Sequence, residues 1–214
     1  MTAHVAIISL LITVARAEII DRIAVTLDNQ VITASEIALE IRLTAFLNGD
    51  PLDFSPSARR KAANRLIEQK LVRKEIQVGR YVSPSPEEVE PMLKQVLAQR
   101  FQGDGEYRQA LAKYGITEDE LKAHLLWQLT LLRFIDLRFR PGVLVSDAQI
   151  QAYFEANRAK LEAQAGDSKK LTLADVRSDI REILTAQGAD KQLDEWLVEA
   201  RKRARIEFHQ EAFQ

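Results

Sequence analysis

The sequence predicts a mainly α-helical protein with one small β-sheet, and three observations support this fold class. Apolar residues recur at helical spacing through most of the 214-residue chain, and capping residues open several of these segments. Residues 19–32 instead alternate and are rich in β-branched side chains, as in a hairpin. Residues 204–208 also alternate, and since a lone strand leaves its backbone groups unpaired, we expect them to pair with that hairpin.

Two amphipathic helices are predicted after the hairpin. A capping box at Thr33 and Glu36 opens the first, which ends at Asn48-Gly49. The second has proline in its first position and runs from Pro56 to Gly79. Both helices present one apolar side, so we expect them to pack against a common core.

The next three predicted helices differ in regularity. Ser85 and Glu88 cap the first of them, and Pro91 lies inside it, where the loss of a backbone hydrogen bond predicts a kink. A short helix follows over 106–114. A third helix runs from a cap at Thr117 to about Phe139.

The helix that ends near Phe139 carries more apolar residues than one stripe can hold, so we expect neighbours on more than one side. Its charged residues Lys122, Arg133 and Asp136 leave too short an uncharged run for a membrane span. This helix is predicted to be the central helix of a helical domain.

The last part of the chain is predicted to hold three more helices. Ser146 caps one that extends towards Leu161, and a short polar linker covers 165–170. A helix over 173–186 follows, and Gly188 is expected to break it. The final helix then begins near Asp190.

Residues 1–17 predict a secretory signal peptide with cleavage after Ala17. An uncharged apolar run from Val5 to Ala15 precedes an Ala-Arg-Ala pattern. The run holds 11 residues, whereas a bilayer needs about 20, so we expect no stable membrane insertion of the mature chain. The segment lacks Lys and Arg before the apolar run, and a buried N-terminal element of a cytosolic protein is the alternative. The predicted location is the periplasm.

Composition excludes several classes of function. The formal net charge is -1 at pH 7, so no overall field attracts nucleic acid or an anionic membrane. The basic run 201–205 stands at a helix end, where the helix dipole favours cations, and we predict no nucleic-acid partner. The chain has no cysteine and no nucleotide-binding or metal-binding motif, and His124 is interpreted as a packing residue. We therefore expect no catalytic residue, no cofactor and no metal.

Six segments, in this order, resemble SurA-type periplasmic chaperones. Five are similar to the N-terminal chaperone region of that family, and the sixth is similar to its C-terminal helix and strand. They are "DRIAVTLDNQVITASEIALEI", "ANRLIEQKLVRKEI", "VSPSPEEVEPMLKQV", "YGITEDELKAHLLWQL", "VLVSDAQIQAYFEAN" and "DEWLVEARKRARIEF". One departure is Leu27-Asp28, where the family usually has valine-asparagine.

The resemblance implies a domain organisation. Residues 18–164 would form the helical chaperone domain, and residues 171–214 would supply C-terminal helices and a strand that pack back onto it. Members of the family usually carry parvulin-type isomerase domains between these two regions. The linker at 165–170 is far too short to hold one.

The function implied is that of an ATP-independent periplasmic chaperone without isomerase activity. It would bind unfolded outer-membrane or secreted polypeptides in an apolar crevice. Two alternatives stay open: a prolyl isomerase of the SurA and parvulin family that uses a degenerate site, and a self-associating envelope scaffold such as a homodimer.

Four residues are the candidates for the client-binding crevice. They are apolar or aromatic and group around the proline-containing helix and the turn after it, at Met92, Phe101, Tyr107 and Tyr114. Ordinary core packing is the alternative for each residue taken singly. Their grouping predicts a shared apolar surface.

Overall fold

A computed structural model of the chain describes residues 21–165 and 171–214. These residues form seven α-helices and a three-stranded antiparallel sheet, which confirms the predicted fold class. The predicted signal peptide lies outside the described residues, as does the predicted linker apart from Ala165. None of the helices in the described ranges has the length and apolar character that a membrane crossing requires.

The elements follow one another with short connections. The strands are β1 (Ile23–Leu27), β2 (Gln30–Thr33) and β3 (Ile206–Phe208). The helices are α1 (Ala34–Asn48), α2 (Pro56–Gly79), α3 (Glu90–Arg100), α4 (Asp104–Tyr114), α5 (Glu118–Arg138), α6 (Asp147–Ala165) and α7 (Leu173–Arg203).

The sheet has the order β2-β1-β3, so β1 is paired along both edges. Val25 stands opposite Ile32 on one side and opposite Phe208 on the other. At the two ends of the β1–β3 pair, the Asp28 amide donates to the Arg205 carbonyl and the His209 amide donates to the Ala24 carbonyl, each at 2.9 Å. The prediction that residues near the C-terminus pair with the N-terminal hairpin is confirmed.

Asp28 joins the hairpin turn to both β3 and α2. Its backbone is left-handed, with φ at 51°, as a tight hairpin turn requires. Its carboxylate accepts the Arg205 amide at 2.9 Å and pairs with Lys74 at 3.0 Å. These hydrogen bonds, that of the Arg205 amide first, lower the pKa of Asp28.

Capping accounts for where the helices begin and end. In the predicted box at the start of α1, the Thr33 amide donates to Glu36 at 2.7 Å and the Glu36 amide donates to the Thr33 hydroxyl at 3.3 Å. Thr117 and Glu120 repeat this arrangement at α5. Gly49, with φ at 78°, closes α1 in the left-handed conformation that glycine adopts without strain.

Four apolar clusters make up the core of the described chain. The first lies between the sheet, α1, α2 and residues 212–213, and the second joins the end of α1 to α3, α4 and the start of α5. The third joins α2, the end of α5 and α7, and the fourth joins α6 to the first part of α7. Because α5 contributes to two clusters, it is covered on more than one side, as predicted.

The predicted break at Gly188 is wrong, because α7 is continuous from Leu173 to Arg203. A Cβ atom on residue 188 would lie 2.5 Å from Val143 Cγ1. Because glycine has no side chain, Val143 can pack directly against α7 at this position. Gly188 thus allows close packing of Val143 on α7 and does not end the helix.

The kink predicted at Pro91 is also wrong. Residues Pro86–Val89 form a 3-10 turn, and α3 begins only at Glu90. Pro91 thus lies in the first turn of α3, where its missing amide would have no partner within the helix.

We expect Gly188→Ala to lower the free energy of unfolding, although alanine is the better helix former by about 1 kcal/mol. Overpacking against Val143 costs about 1–3 kcal/mol. In a Val143→Ala background the same substitution should instead stabilise the protein, by up to about 1 kcal/mol. Urea unfolding of the four proteins measures both effects, and an equal loss in the two backgrounds would contradict the packing account.

Candidate functional site

Three of the four predicted crevice residues surround one buried ring, that of Phe46 near the end of α1. The Phe46 ring centre lies 5.9 Å from that of Phe101, 6.5 Å from that of Tyr107 and 5.7 Å from that of Tyr114. Met92 packs against the same cluster from the first turn of α3. All four residues therefore belong to one apolar cluster, in which the Phe46 ring lies among the three aromatic ones.

Phe101 and Tyr107 also border an open cleft of about 380 Å³ between the end of α3 and the start of α4. Leu97 and Ala98 of α3 line the same cleft, with Lys94 and Asp104 among its polar residues. Met92 and Tyr114 do not line it. Tyr114 instead borders a separate depression next to Gly49 and Leu52.

Arg100 fixes the end of α3 against the end of α1. Its guanidinium donates to the carbonyl oxygen of Leu47 at 2.8 Å and also to that of Phe46. A cation at the carboxyl end of a helix is favoured by the helix dipole. The guanidinium carbon lies 5.4 Å from the Phe46 ring centre and 5.6 Å from that of Phe101, so it also holds the two rings together.

Exposure divides the predicted residues into two kinds. Tyr107 is 2% exposed and Tyr114 is 9% exposed, so both belong to the core. Phe101 and Met92 are only partly buried. Phe101 is therefore the aromatic residue of this group that a ligand in the cleft would contact most directly.

The two tyrosine hydroxyls have different partners. The Tyr114 hydroxyl donates to the Asp50 carbonyl at 2.9 Å. The buried Tyr107 hydroxyl has no hydrogen-bond partner of normal length and angle in the described part of the chain, although the Glu118 carboxylate lies close enough to interact with it. Burial, with a smaller contribution from the Glu118 carboxylate, raises the pKa of Tyr107 to about 12.

A group of polar side chains joins α1, α2 and α5. Glu40 is 5% exposed, and its Oε1 accepts a hydrogen bond from Arg65 Nε at 2.9 Å. His124 Nδ1 stands 3.7 Å from Glu40 Oε2, and His124 Nε2 lies 3.2 Å from the Gln128 side-chain nitrogen. Burial lowers the pKa of His124, against the opposing effect of Glu40, so the ring is neutral at pH 7.

No group of three or more His, Cys, Asp and Glu side chains within residues 21–165 and 171–214 is arranged to hold a metal ion. Neither a scan against protein-family models nor a search of curated proteins finds a match for this chain.

Sequence reasoning missed Phe46, Leu97 and Glu40. Leu93, Leu97 and Phe101 follow one another at intervals of four, which is a signal for one helix face that includes the cleft. Phe46 lies one turn beyond Leu43 on the apolar side of α1. No local pattern marks Glu40, since its burial depends on which helices meet.

We expect Tyr107→Phe to leave the free energy of unfolding unchanged or to raise it, because it removes a buried hydroxyl that makes no hydrogen bond of normal length and angle. Tyr114→Phe is the matched control and should cost about 1 kcal/mol, since it removes a hydrogen bond. Urea unfolding compares the two variants. Equal losses would show that the Tyr107 hydroxyl is bonded in solution.

Proposed function

We propose that this protein is an ATP-independent chaperone of the SurA type. In this proposal it acts in the periplasm and binds unfolded outer-membrane or secreted polypeptides without isomerase activity. The cleft between α3 and α4 is the proposed client-binding crevice. The observation that carries the proposal is the half-buried Phe101 ring, which is stacked on the buried Phe46 ring at the edge of this open, largely apolar cleft.

Contacts with neighbouring side chains hold the Phe101 ring in the position needed for binding. Phe46 and Arg100 hold the ring from behind, so its position is set before a client arrives. A preformed contact surface reduces the entropy that binding must overcome. A client side chain placed on Phe101 therefore loses little energy to reorganisation of the protein.

The expected affinity suits a chaperone that releases its clients unaided. Burial of one aromatic or leucine side chain contributes about 1.5–3 kcal/mol. A few such contacts, less the ordering entropy of the client, amount to about -8 kcal/mol, which corresponds to a micromolar dissociation constant. Binding of this strength prevents aggregation and needs no nucleotide for release.

The charges around the crevice do not select one type of client. Lys94 and Asp104 line it with opposite signs, and both are exposed. Asp104 is also paired with Arg108 at 2.8 Å, so the rim offers little net charge of either sign for selecting a segment. Apolar content is then the main property by which clients are recognised, as holding of varied unfolded chains requires.

We expect Phe101→Ala to raise the dissociation constant for a fluorescently labelled, urea-denatured porin about tenfold or more, since one aromatic contact is lost. Phe54→Ala is the matched control. Phe54 is also a partly buried phenylalanine, but it packs against the cluster between the sheet, α1 and α2. Fluorescence anisotropy gives the dissociation constants, and urea unfolding shows whether each variant is folded.

An unchanged affinity of folded Phe101→Ala would contradict the proposed crevice.

Isomerisation of a proline-containing tetrapeptide should proceed at the uncatalysed rate. Catalysis by the purified chain would favour an enzyme. Light scattering without client separates client holding from self-association.

A further inference from the structure

A second cavity, of about 330 Å³, lies where α1, α2, α5 and α7 meet. It is separate from the α3–α4 crevice and shares no lining residue with it. One wall is apolar and is formed by Val72, Trp127, Leu131, Leu193 and Leu197. The rest of the lining is polar and includes the Glu40 and His124 pair described above.

Glu40 has one oxygen without a close hydrogen-bond donor. Oε1 accepts from Arg65 Nε at 2.9 Å, whereas the nearest donors to Oε2 are Gln69 Nε2 at 3.5 Å and His124 Nδ1 at 3.7 Å. Charge-assisted hydrogen bonds to carboxylates are normally about 2.7–2.9 Å long. The 5% exposed Glu40 carboxylate thus has, at Oε2, only the long hydrogen bond from Gln69, and this oxygen keeps the capacity to accept from a closer, charged donor.

The ionic side chains that line the cavity favour a cation. Three carboxylates, from Glu40, Glu68 and Asp194, face one guanidinium, from Arg65. Arg201 pairs with Glu68 at 3.2 Å from outside the lining, whereas Asp194 is exposed and has no ion-pair partner in the described ranges. Within the lining itself the carboxylates outnumber the guanidinium by two, and Asp194 adds an unpaired carboxylate, while the Arg73 guanidinium lies outside the lining, 4.2 Å from the Trp127 ring centre.

The geometry at Glu40 Oε2 distinguishes among cations. A guanidinium binds carboxylates best through both oxygens, and Oε1 of Glu40 is already occupied by Arg65. An ammonium group is a compact charge that needs only a single acceptor. Its aliphatic stem would lie along the apolar wall beside Trp127 and Leu197.

We propose that this cavity binds an alkylammonium group, supplied by a lysine side chain of a polypeptide, with the charge at Glu40 Oε2 and the stem against Trp127. This site extends recognition from apolar segments to segments that also carry lysine. Its role in client recognition rests on the proposed function. Its binding of an alkylammonium group is tested with a single amino-acid amide, so that test is independent of the α3–α4 crevice.

The test is a titration of the ¹⁵N-labelled protein with Nα-acetyl-lysine amide, followed by NMR at the indole N–H of Trp127. The chain has two tryptophans, so Trp196→Phe assigns the signal. We expect a saturable shift and about tenfold or more weaker binding of Nα-acetyl-norleucine amide, which keeps the stem but lacks the ammonium group. Equal binding of the two amides, or no saturable shift, would overturn the proposal.

Variants locate the charge contacts. Glu40→Gln should weaken binding of the lysine amide about tenfold, and Asp194→Asn should weaken it about twofold to threefold. Asp190 lies on α7 like Asp194 but outside the cavity, so Asp190→Asn should have no effect. If circular dichroism shows Glu40→Gln to be unfolded, the lysine and norleucine comparison on the natural chain decides. Tighter binding of 1,4-diaminobutane than of the lysine amide would overturn the assignment to a polypeptide.

Discussion

The pairing of β3 with β1 is the constraint on which the rest of the described structure depends. β1 is the central strand, so half of its backbone groups find partners only when residues 206–208 return to it. Thr26 and His209, which are 183 positions apart, meet at 2.9 Å across this pair. Closing so long a loop costs only modestly more entropy than closing a short one, because the cost grows with the logarithm of length. The pairing therefore ties the two ends of the described chain at small cost.

This closure also sets the position of α7, because only two residues separate the helix from β3. From that anchor α7 packs against α2 and α5, where Trp196 meets Phe134 with ring centres 6.1 Å apart, and it continues to α6. Its Leu193, Asp194 and Leu197 complete the cavity between α1, α2, α5 and α7. The α3–α4 crevice belongs to the one cluster to which α7 contributes no residue. Changes in that crevice should therefore leave the closure of the chain intact.

Features that depend on neighbouring residues were predictable from the sequence, and features that depend on distant contacts were not. Helix starts at capping boxes, the hairpin and the need of β3 for a partner are local or near-local signals. Gly188 was misjudged because its role depends on Val143, which approaches from another part of the chain. The grouping of aromatic residues near α3 and α4 was predictable, whereas Phe46 as its centre and Glu40 as a buried carboxylate required knowledge of which helices meet.

The most direct test of the account is the NMR detection of contacts between β1 and β3. Hydrogen bonds at Asp28–Arg205 and His209–Ala24 place Val25–Phe208 and Leu27–Ile206 at positions where paired Cα atoms approach to about 4.5 Å. We predict strong nuclear Overhauser effects between the α-protons of both pairs. Contacts within the β1–β2 hairpin serve as the internal control. Hairpin contacts without any β1–β3 contact would contradict the closure, and with it the placement of α7.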